Sequence, residues 1–322
     1  MRSLRWIGLL ALYVGAQGVA LLLADPFRSA GLATNSNPQS VGAPLEIILI
    51  IVLAPLLILY IARRKGGIAT LRHLILFAIA ASLYITLYAT FSVLPPGLIL
   101  LPPYAAEVVL DPALALAALV SATLYLTLLM EPQWYVVDFV GFLAAGSLIA
   151  ILGISFAILP AFVLLIALLV YDAIAVYGTK HMVSLAEVVT DMKLPILLVM
   201  PDSADYDYTS APTLQAQRAQ PVEQREALFM GLGDVVIPGT LVVSAFVWLP
   251  SHPLVAGIGG NLWAGFGALI GSLLGYAILM RIVLRGNAQA GLPFLNGGAL
   301  VGYVIAYLLV FHSLTLGLTG GL

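Results

Sequence analysis

Cysteine is absent from the 322-residue chain, which excludes disulfides, thiolate nucleophiles, iron-sulfur clusters and Cys-ligated zinc together. Charge is almost as scarce. Asp, Glu, Lys and Arg make up 9% of the residues, with 13 basic against 15 acidic side chains. Such a balance provides neither a basic face for nucleic acid nor an acidic tail. Only four histidines occur, His73, His181, His252 and His312, scattered among apolar-segment ends and loops. No His-Glu-x-x-His is present, so metal-assisted hydrolysis has no ligand set, and no metal or cofactor is expected. What fills the chain instead is apolar. Hydrophobic residues account for 62% and the mean hydropathy is +1.09, values outside those of soluble domains. The chain is therefore read as an integral, multi-pass membrane protein, with the lipid bilayer as its surroundings and the cell membrane as its expected location.

A spanning helix needs about 20 mostly apolar residues. Nine stretches qualify, near 6–24, 42–62, 73–94, 112–130, 136–153, 157–178, 226–249, 255–280 and 293–313. The first has the basic start of a signal peptide, but its apolar run is long enough to cross, and it is counted as a span. The fifth and sixth are separable only by a tight turn between Gly153 and Pro160. Lys and Arg test this count, because they accumulate on the cytoplasmic side. With nine crossings and the N-terminus inside, every basic residue except Arg28 is cytoplasmic. Merging the fifth and sixth spans would destroy that pattern. The expected fold is thus all-α, with nine transmembrane helices, a cytoplasmic N-terminus and an outer C-terminus. It divides into helices 1–6 (residues 1–178), a cytoplasmic loop (179–225) and helices 7–9 (226–322). In the loop, "GTKHMVSLAEVVTDMKLPILLVMP" reads as a short amphipathic helix followed by a strand-like run ending at Pro201. "DSADYDYTSAPTLQAQRAQPVEQ" has the composition of a disordered linker.

Most acids, Asp138 among them, fall at span ends or in loops, where solvent accounts for them. Asp172 and Asp234 do not. Each sits inside an apolar span, where an ionised group costs several kcal/mol unless it is paired or hydrated. At 1.5 Å per residue, Asp172 lies ~9 Å and Asp234 ~12 Å from the cytoplasmic face. Consecutive antiparallel helices are natural neighbours, so the two carboxyls can meet at one depth. A close pair in a low-dielectric site splits its proton affinities and holds one proton between its members. The charged member can take a proton from water attacking a peptide carbonyl while the neutral one donates to the carbonyl oxygen. Gly231 and Gly233, flanking Leu232, would let a helix or an extended backbone approach Asp234. On physical grounds alone the pair also suits a proton- or cation-coupled transporter or channel, or a structural hydrogen bond. A Ser155–His312 hydrolase pair is weaker, because Ser155 falls in the tight turn. Gly267, Gly271 and Gly275 form a small-residue stripe suited to helix packing. Asn261 and Asn296 suit caps or interhelical bonds, and Tyr84, Tyr88, Tyr125 and Tyr303 suit interfacial or packing positions.

"YDAIAVY", with Tyr171 and Asp172, followed by "GLGD", with Gly231, Gly233 and Asp234, resembles the presenilin and signal peptide peptidase family of intramembrane aspartyl proteases, in the archaeal-type presenilin form. The family carries Tyr-Asp in one helix, Gly-x-Gly-Asp in the next, and Pro-Ala-Leu at the start of the ninth. The third element departs here. Ala290, Gly291, Leu292 and Pro293 stand where presenilins have Pro-Ala-Leu-Pro, and an alternative register would use Pro293, Phe294 and Leu295. The resemblance implies an aspartic endopeptidase without cofactors, with Asp172 and Asp234 as catalytic pair. Tyr171, Gly231, Leu232, Gly233, Ala290, Gly291, Leu292 and Pro293 would shape the site. Its substrates would be single-span membrane proteins with outer N-termini, cut near the cytoplasmic side. The run Pro195 to Pro201 would pair with an unwound substrate or serve as a membrane-surface anchor. Accessory subunits, self-association and cleavage of the 179–225 loop are left open by the resemblance.

Overall fold

The computed structural model describes residues 4–93, 111–179, 192–210, 225–283 and 289–318. The amphipathic helix expected near Lys180 to Asp191 lies outside them, as do 211–224 of the expected linker. Nine α-helices form among the described residues, namely α1 (Leu4–Ser29), α2 (Gly42–Ala62), α3 (Gly67–Val93), α4 (Pro112–Met130), α5 (Trp134–Ser155), α6 (Ile158–Ala173), α7 (Leu232–Trp248), α8 (Gly260–Val283) and α9 (Leu292–Phe311). Eight are long and apolar enough to cross a membrane, with α6 counted to Tyr177; α7, at 17 residues, is the shorter one. The tight turn between the fifth and sixth spans occurs at Phe156 and Ala157.

Burial differs sharply between helices of similar hydropathy. From Val235 to Ala245 every residue of α7 is buried, because α1, α5, α6, α8 and α9 all pack on it. A helix apolar on every side is stable only when wholly enclosed or in lipid, and α7 takes the enclosed place. By contrast α2 exposes Leu49, Ile50, Leu53, Leu56 and Leu57, the surface a lipid-facing helix presents. The glycine stripe of α8 meets a matching stripe on α9. A Cβ on Gly271 would lie 2.0 Å from the Gly298 carbonyl oxygen, and one on Gly275 would lie 2.0 Å from that of Phe294. Only glycine permits such backbone contact. The two asparagines tie helices together as expected. Asn261 donates to the Phe246 carbonyl at 2.7 Å and Asn296 to that of Leu165 at 2.9 Å. Tyr303 is fully buried and donates to the Leu316 carbonyl.

The seventh helix starts later than its hydropathy suggests. Ala227–Gly231 forms a strand, β2, antiparallel to β1 (Leu197–Pro201), with Leu197 opposite Gly231 and Pro201 opposite Ala227. A second, minimal hairpin joins β3 (Leu254–Val255) to β4 (Ile258–Gly259). Asp234 consequently stands in the first turn of α7, not about two turns inside it. Hydropathy could not separate strand from helix here, since a short apolar run fits both until its partner is known.

The described residues after β1, up to Ser210, are held by several contacts. Arg5 of α1, nearly buried, pairs with Asp202 at 3.2 Å and donates to the Arg225 carbonyl at 2.7 Å. Tyr208 is fully buried beneath the Lys193 ammonium, 4.5 Å from its ring centre. Burial pushes its hydroxyl above the usual phenol range. Bonds from the Thr209 hydroxyl, Ser210 and the Thr209 amide hold the Asp207 carboxyl well below the usual carboxylate range. The linker composition is that of a solvated strap pinned at a few aromatic and charged points.

Candidate active site

The sequence between α8 and α9 joins the two acids. Asp172 is the penultimate residue of α6 and is 6% exposed. The Leu292 amide donates to its Oδ2 at 3.0 Å, and the Gly291 amide is directed at the same carboxylate. The first N–H groups of a helix have no partner within it and favour an anion. Asp172 occupies that position for α9. Pro293, at the second helical position, has no N–H to offer, which concentrates donation on its two predecessors. Asp234 approaches Gly291 from α7. A Cβ on Gly291 would lie 2.6 Å from its Oδ1 and 2.9 Å from its Oδ2. The dipeptide Gly291–Leu292 therefore touches both carboxylates. Both residues belong to the register Ala290 to Pro293 and neither to the register Pro293 to Leu295.

Local sequence explains how each acid is presented. After Ala173 the chain leaves α-helical bonding for a π-helical stretch, Ile174–Thr179, a form often found at functional sites. This aims Tyr177 at the loop before α9, where its hydroxyl bonds Gln289 Oε1 at 2.7 Å and receives the Ala290 amide at 3.4 Å. Ala290 itself is buried. On α7, Pro238 lacks the N–H that would bond the Asp234 carbonyl four residues earlier, which loosens the first turn. Gly231 ends β2 and caps the helix in an extended conformation. A Cβ there would make only ordinary contact, 3.6 Å from Asp234 Oδ2, and one on Gly233 would meet nothing within 4 Å. Gly233 is exposed, so the ground beside Asp234 is open. Leu232 is buried and its amide bonds the Ile196 carbonyl at 3.1 Å. Tyr171 packs against the main core.

One acid was misread from sequence. Asp138 of α5, attributed to solvent, is 5% exposed. Its Oδ1 accepts the Val199 amide at 2.6 Å and its Oδ2 has no partner. Asp138 thus anchors the outer edge of β1, which supports β2 and, through Leu232, the approach to Asp234. A position near a predicted span end carried no sign of this, because the partner lies 61 residues away. Losing the acceptor would strand a buried amide at a cost of about 1–3 kcal/mol. Asp138→Leu is therefore expected to accelerate hydrogen exchange at Val199 by roughly tenfold to a hundredfold, while Asp138→Asn, which keeps an acceptor, stays near wild type. Equal rates in both variants would remove the anchoring role.

The Ser155 candidate finds other partners. Its hydroxyl donates to the Ile151 carbonyl and receives the Thr34 amide at 2.8 Å, while His312 caps the far end of α9. No group of three His, Cys, Asp or Glu side chains able to hold a metal comes together among the described residues.

Comparison with known proteins agrees with this arrangement. The family described as signal-peptide peptidase, presenilin aspartyl protease matches residues 10–312. A presenilin family intramembrane aspartate protease solved in a C222 crystal form is 29% identical, covering 95% of this chain and 99% of its own, with a TM-score of 0.65. A structure described in the same words, in a P2 form, is 30% identical over 94% and 97%, with a TM-score of 0.61. No curated protein matches. With two acids on one dipeptide and the match running almost end to end, the chain belongs to the signal-peptide peptidase and presenilin family of aspartyl proteases.

Proposed function

We propose that this protein is an intramembrane aspartyl protease that hydrolyses peptide bonds within transmembrane segments of single-span proteins, with Asp172 and Asp234 as its catalytic pair. The observation that carries the reading is the convergence of both carboxylates on Gly291 and Leu292. One acid, charged, removes a proton from water as the water oxygen bonds to the peptide carbonyl carbon. The other, neutral, protonates the carbonyl oxygen, giving a gem-diol. As the carbon–nitrogen bond breaks, the departing amine takes a proton and the pair returns to its starting state. No covalent intermediate or metal enters. Transport is named in neither the family description nor the titles of the solved structures. The first test is cleavage of a single-span reporter by purified protein and its loss in Asp172→Asn and Asp234→Asn.

A substrate helix must be unwound before its backbone is reached, and β2 offers a template. Bonds from Leu232 to Ile196 and from Asp202 to Glu226 set the phase of the ladder. In that phase Leu198–Met230 and Met200–Leu228 exchange bonds, while Val199 and Phe229 turn theirs outward. Asp138 takes the Val199 amide, so the edge left for a substrate strand is that of β2, not the Pro195 to Pro201 run. The edge of β2 leads directly into Gly231 and Asp234. Phe229→Pro removes an outward donor without breaking the ladder. It is expected to lower kcat/KM roughly three- to tenfold beyond Phe229→Ala, the range of one hydrogen bond. Equal kinetics in the two variants would place the substrate elsewhere. By the chain's likeness to presenilins, substrates would have outer N-termini and be cut near the cytoplasmic side, with the cell membrane as the location.

A further inference from the structure

The start of α1 grips the β1–β2 hairpin at the end of its ladder away from Asp234. That ladder runs from Leu197 opposite Gly231 to Pro201 opposite Ala227, and beyond it the Asp202 amide donates to the Glu226 carbonyl at 2.8 Å. Arg5 lies across this end. Its Nε is 3.2 Å from Oδ1 of Asp202, which follows β1, and its Nη1 donates at 2.7 Å to the carbonyl of Arg225, which precedes β2. One turn along α1, Gly8 receives Met200 of β1, where a Cβ would lie 2.7 Å from the Met200 Sδ.

The chemistry of arginine suits this place. Its donors are fixed in one plane, so a single cation can serve both strands, whereas a lysine ammonium is one point charge. An ion pair between exposed groups contributes little, and the Asp202 side chain is 46% exposed. The Arg5 side chain, however, is only 7% exposed, and an enclosed cation is costly to leave without partners. It therefore ties both strand ends to α1. The opposite end of the hairpin is held separately, by the Leu232 amide on the Ile196 carbonyl. Freeing the Arg5 end would tilt β2 while the ground beside Asp234 keeps its shape.

We propose that Arg5 is a positioning residue for substrate binding, clamping the far end of the hairpin so that the open edge of β2 is aimed to receive an unwound substrate strand. This rests on the reading of β2 as the substrate template, but the clamp itself does not. Arg5 touches the hairpin, not the substrate or the two acids.

One readout is independent of catalysis. Arg5→Met keeps an apolar stem and removes the donors. Hydrogen exchange of the intact protein is expected to run roughly tenfold faster at the Asp202 amide in this variant, and at the wild-type rate at the Leu232 amide. Unchanged exchange at Asp202 would overturn the clamp, whatever the activity. The second readout is kinetic. For cleavage of a single-span reporter, KM is expected to rise roughly three- to tenfold in Arg5→Met, the range of one hydrogen bond, with kcat unchanged. Arg5→Lys, which keeps the charge but one contact only, should show a smaller rise in KM, and carries the test if Arg5→Met fails to fold. Adding Asp202→Asn to Arg5→Met should raise KM no further, because the two residues act as a pair. An unchanged KM where Asp202 exchanges faster, a loss confined to kcat, or KM effects that multiply in the double variant would overturn the positioning role. A wild type that leaves the reporter uncut, with the exchange difference intact, would overturn the protease assignment and leave the clamp standing.

Discussion

Replacing either Asp172 or Asp234 by asparagine is expected to leave a single-span reporter uncut, with rates falling on the order of 10³- to 10⁴-fold, the contribution of a positioned acid or base. Asparagine matches aspartate in size and keeps an acceptor for the Leu292 amide, which donates to Asp172 at 3.0 Å in the native chain. The start of α9 therefore retains its cap, and the variant loses chemistry rather than structure. Because each acid works only with the other in the opposite protonation state, the double variant should be no slower than either single one. The wild type should show a rise and a fall of rate with pH, set by two macroscopic values that belong to the pair. Fragments identified by mass spectrometry provide the readout. Cleavage persisting in either single variant, or losses that multiply in the double one, would end the assignment of a dyad.

The second large effect is expected at a residue with no side chain. A Cβ on Gly291 would sit 2.6 Å from Asp234 Oδ1 and 2.9 Å from Cγ, well inside contact distance. The group in the way is the far end of a side chain, so the fold can yield, but only by moving the carboxylate. Gly291→Ala asks for tenths of an ångström. Gly291→Val, with two further methyl groups, asks for more, and a displacement near 1 Å costs about a hundredfold or greater in rate. Gly291 has an ordinary right-handed helical backbone, φ −80° and ψ −46°, so neither change introduces conformational strain there. Thermal midpoints should stay close to wild type while cleavage declines from glycine to alanine to valine. Gly271→Val supplies the contrast. Its Cβ would strike the Gly298 carbonyl oxygen at 2.0 Å, a backbone atom that cannot swing aside, so stability and activity should fall together. Full activity in Gly291→Val would mean that Asp234 does not act from beside this dipeptide.

The departure of Ala290–Gly291–Leu292–Pro293 from the family's Pro-Ala-Leu-Pro has a physical counterpart in these contacts. Where Asp234 lies this close to the loop, glycine leaves room for the carboxylate without displacing it. Buried Ala290 is held at its amide by Tyr177, a tether that supports the loop in the absence of the first proline. Both residues were visible in the sequence, but their meaning required the neighbours.

Helix number, the Phe156–Ala157 turn, the small-residue seam of α8 and the two intramembrane acids were legible because each is a local count. A run of apolar residues, a glycine every fourth position and a carboxylate amid leucines carry their cost regardless of what folds against them. The start of α7, the contact of Leu292 with Asp172 and the anchoring of β1 by Asp138 behave differently. Each depends on a partner 26 to 120 residues distant in the chain, from Pro201 and Ala227 in the ladder to Asp172 and Leu292, and no local pattern encodes which partner arrives. An apolar pentapeptide becomes strand or helix according to the edge it meets, and a buried acid becomes an anchor or a reactant according to the donors set against it. Sequence alone determined that this chain must bury two carboxylates within a membrane bundle. The tertiary structure decided that they converge on Gly291 and Leu292, because only packing of α6, α7 and α9 brings their ends to one place.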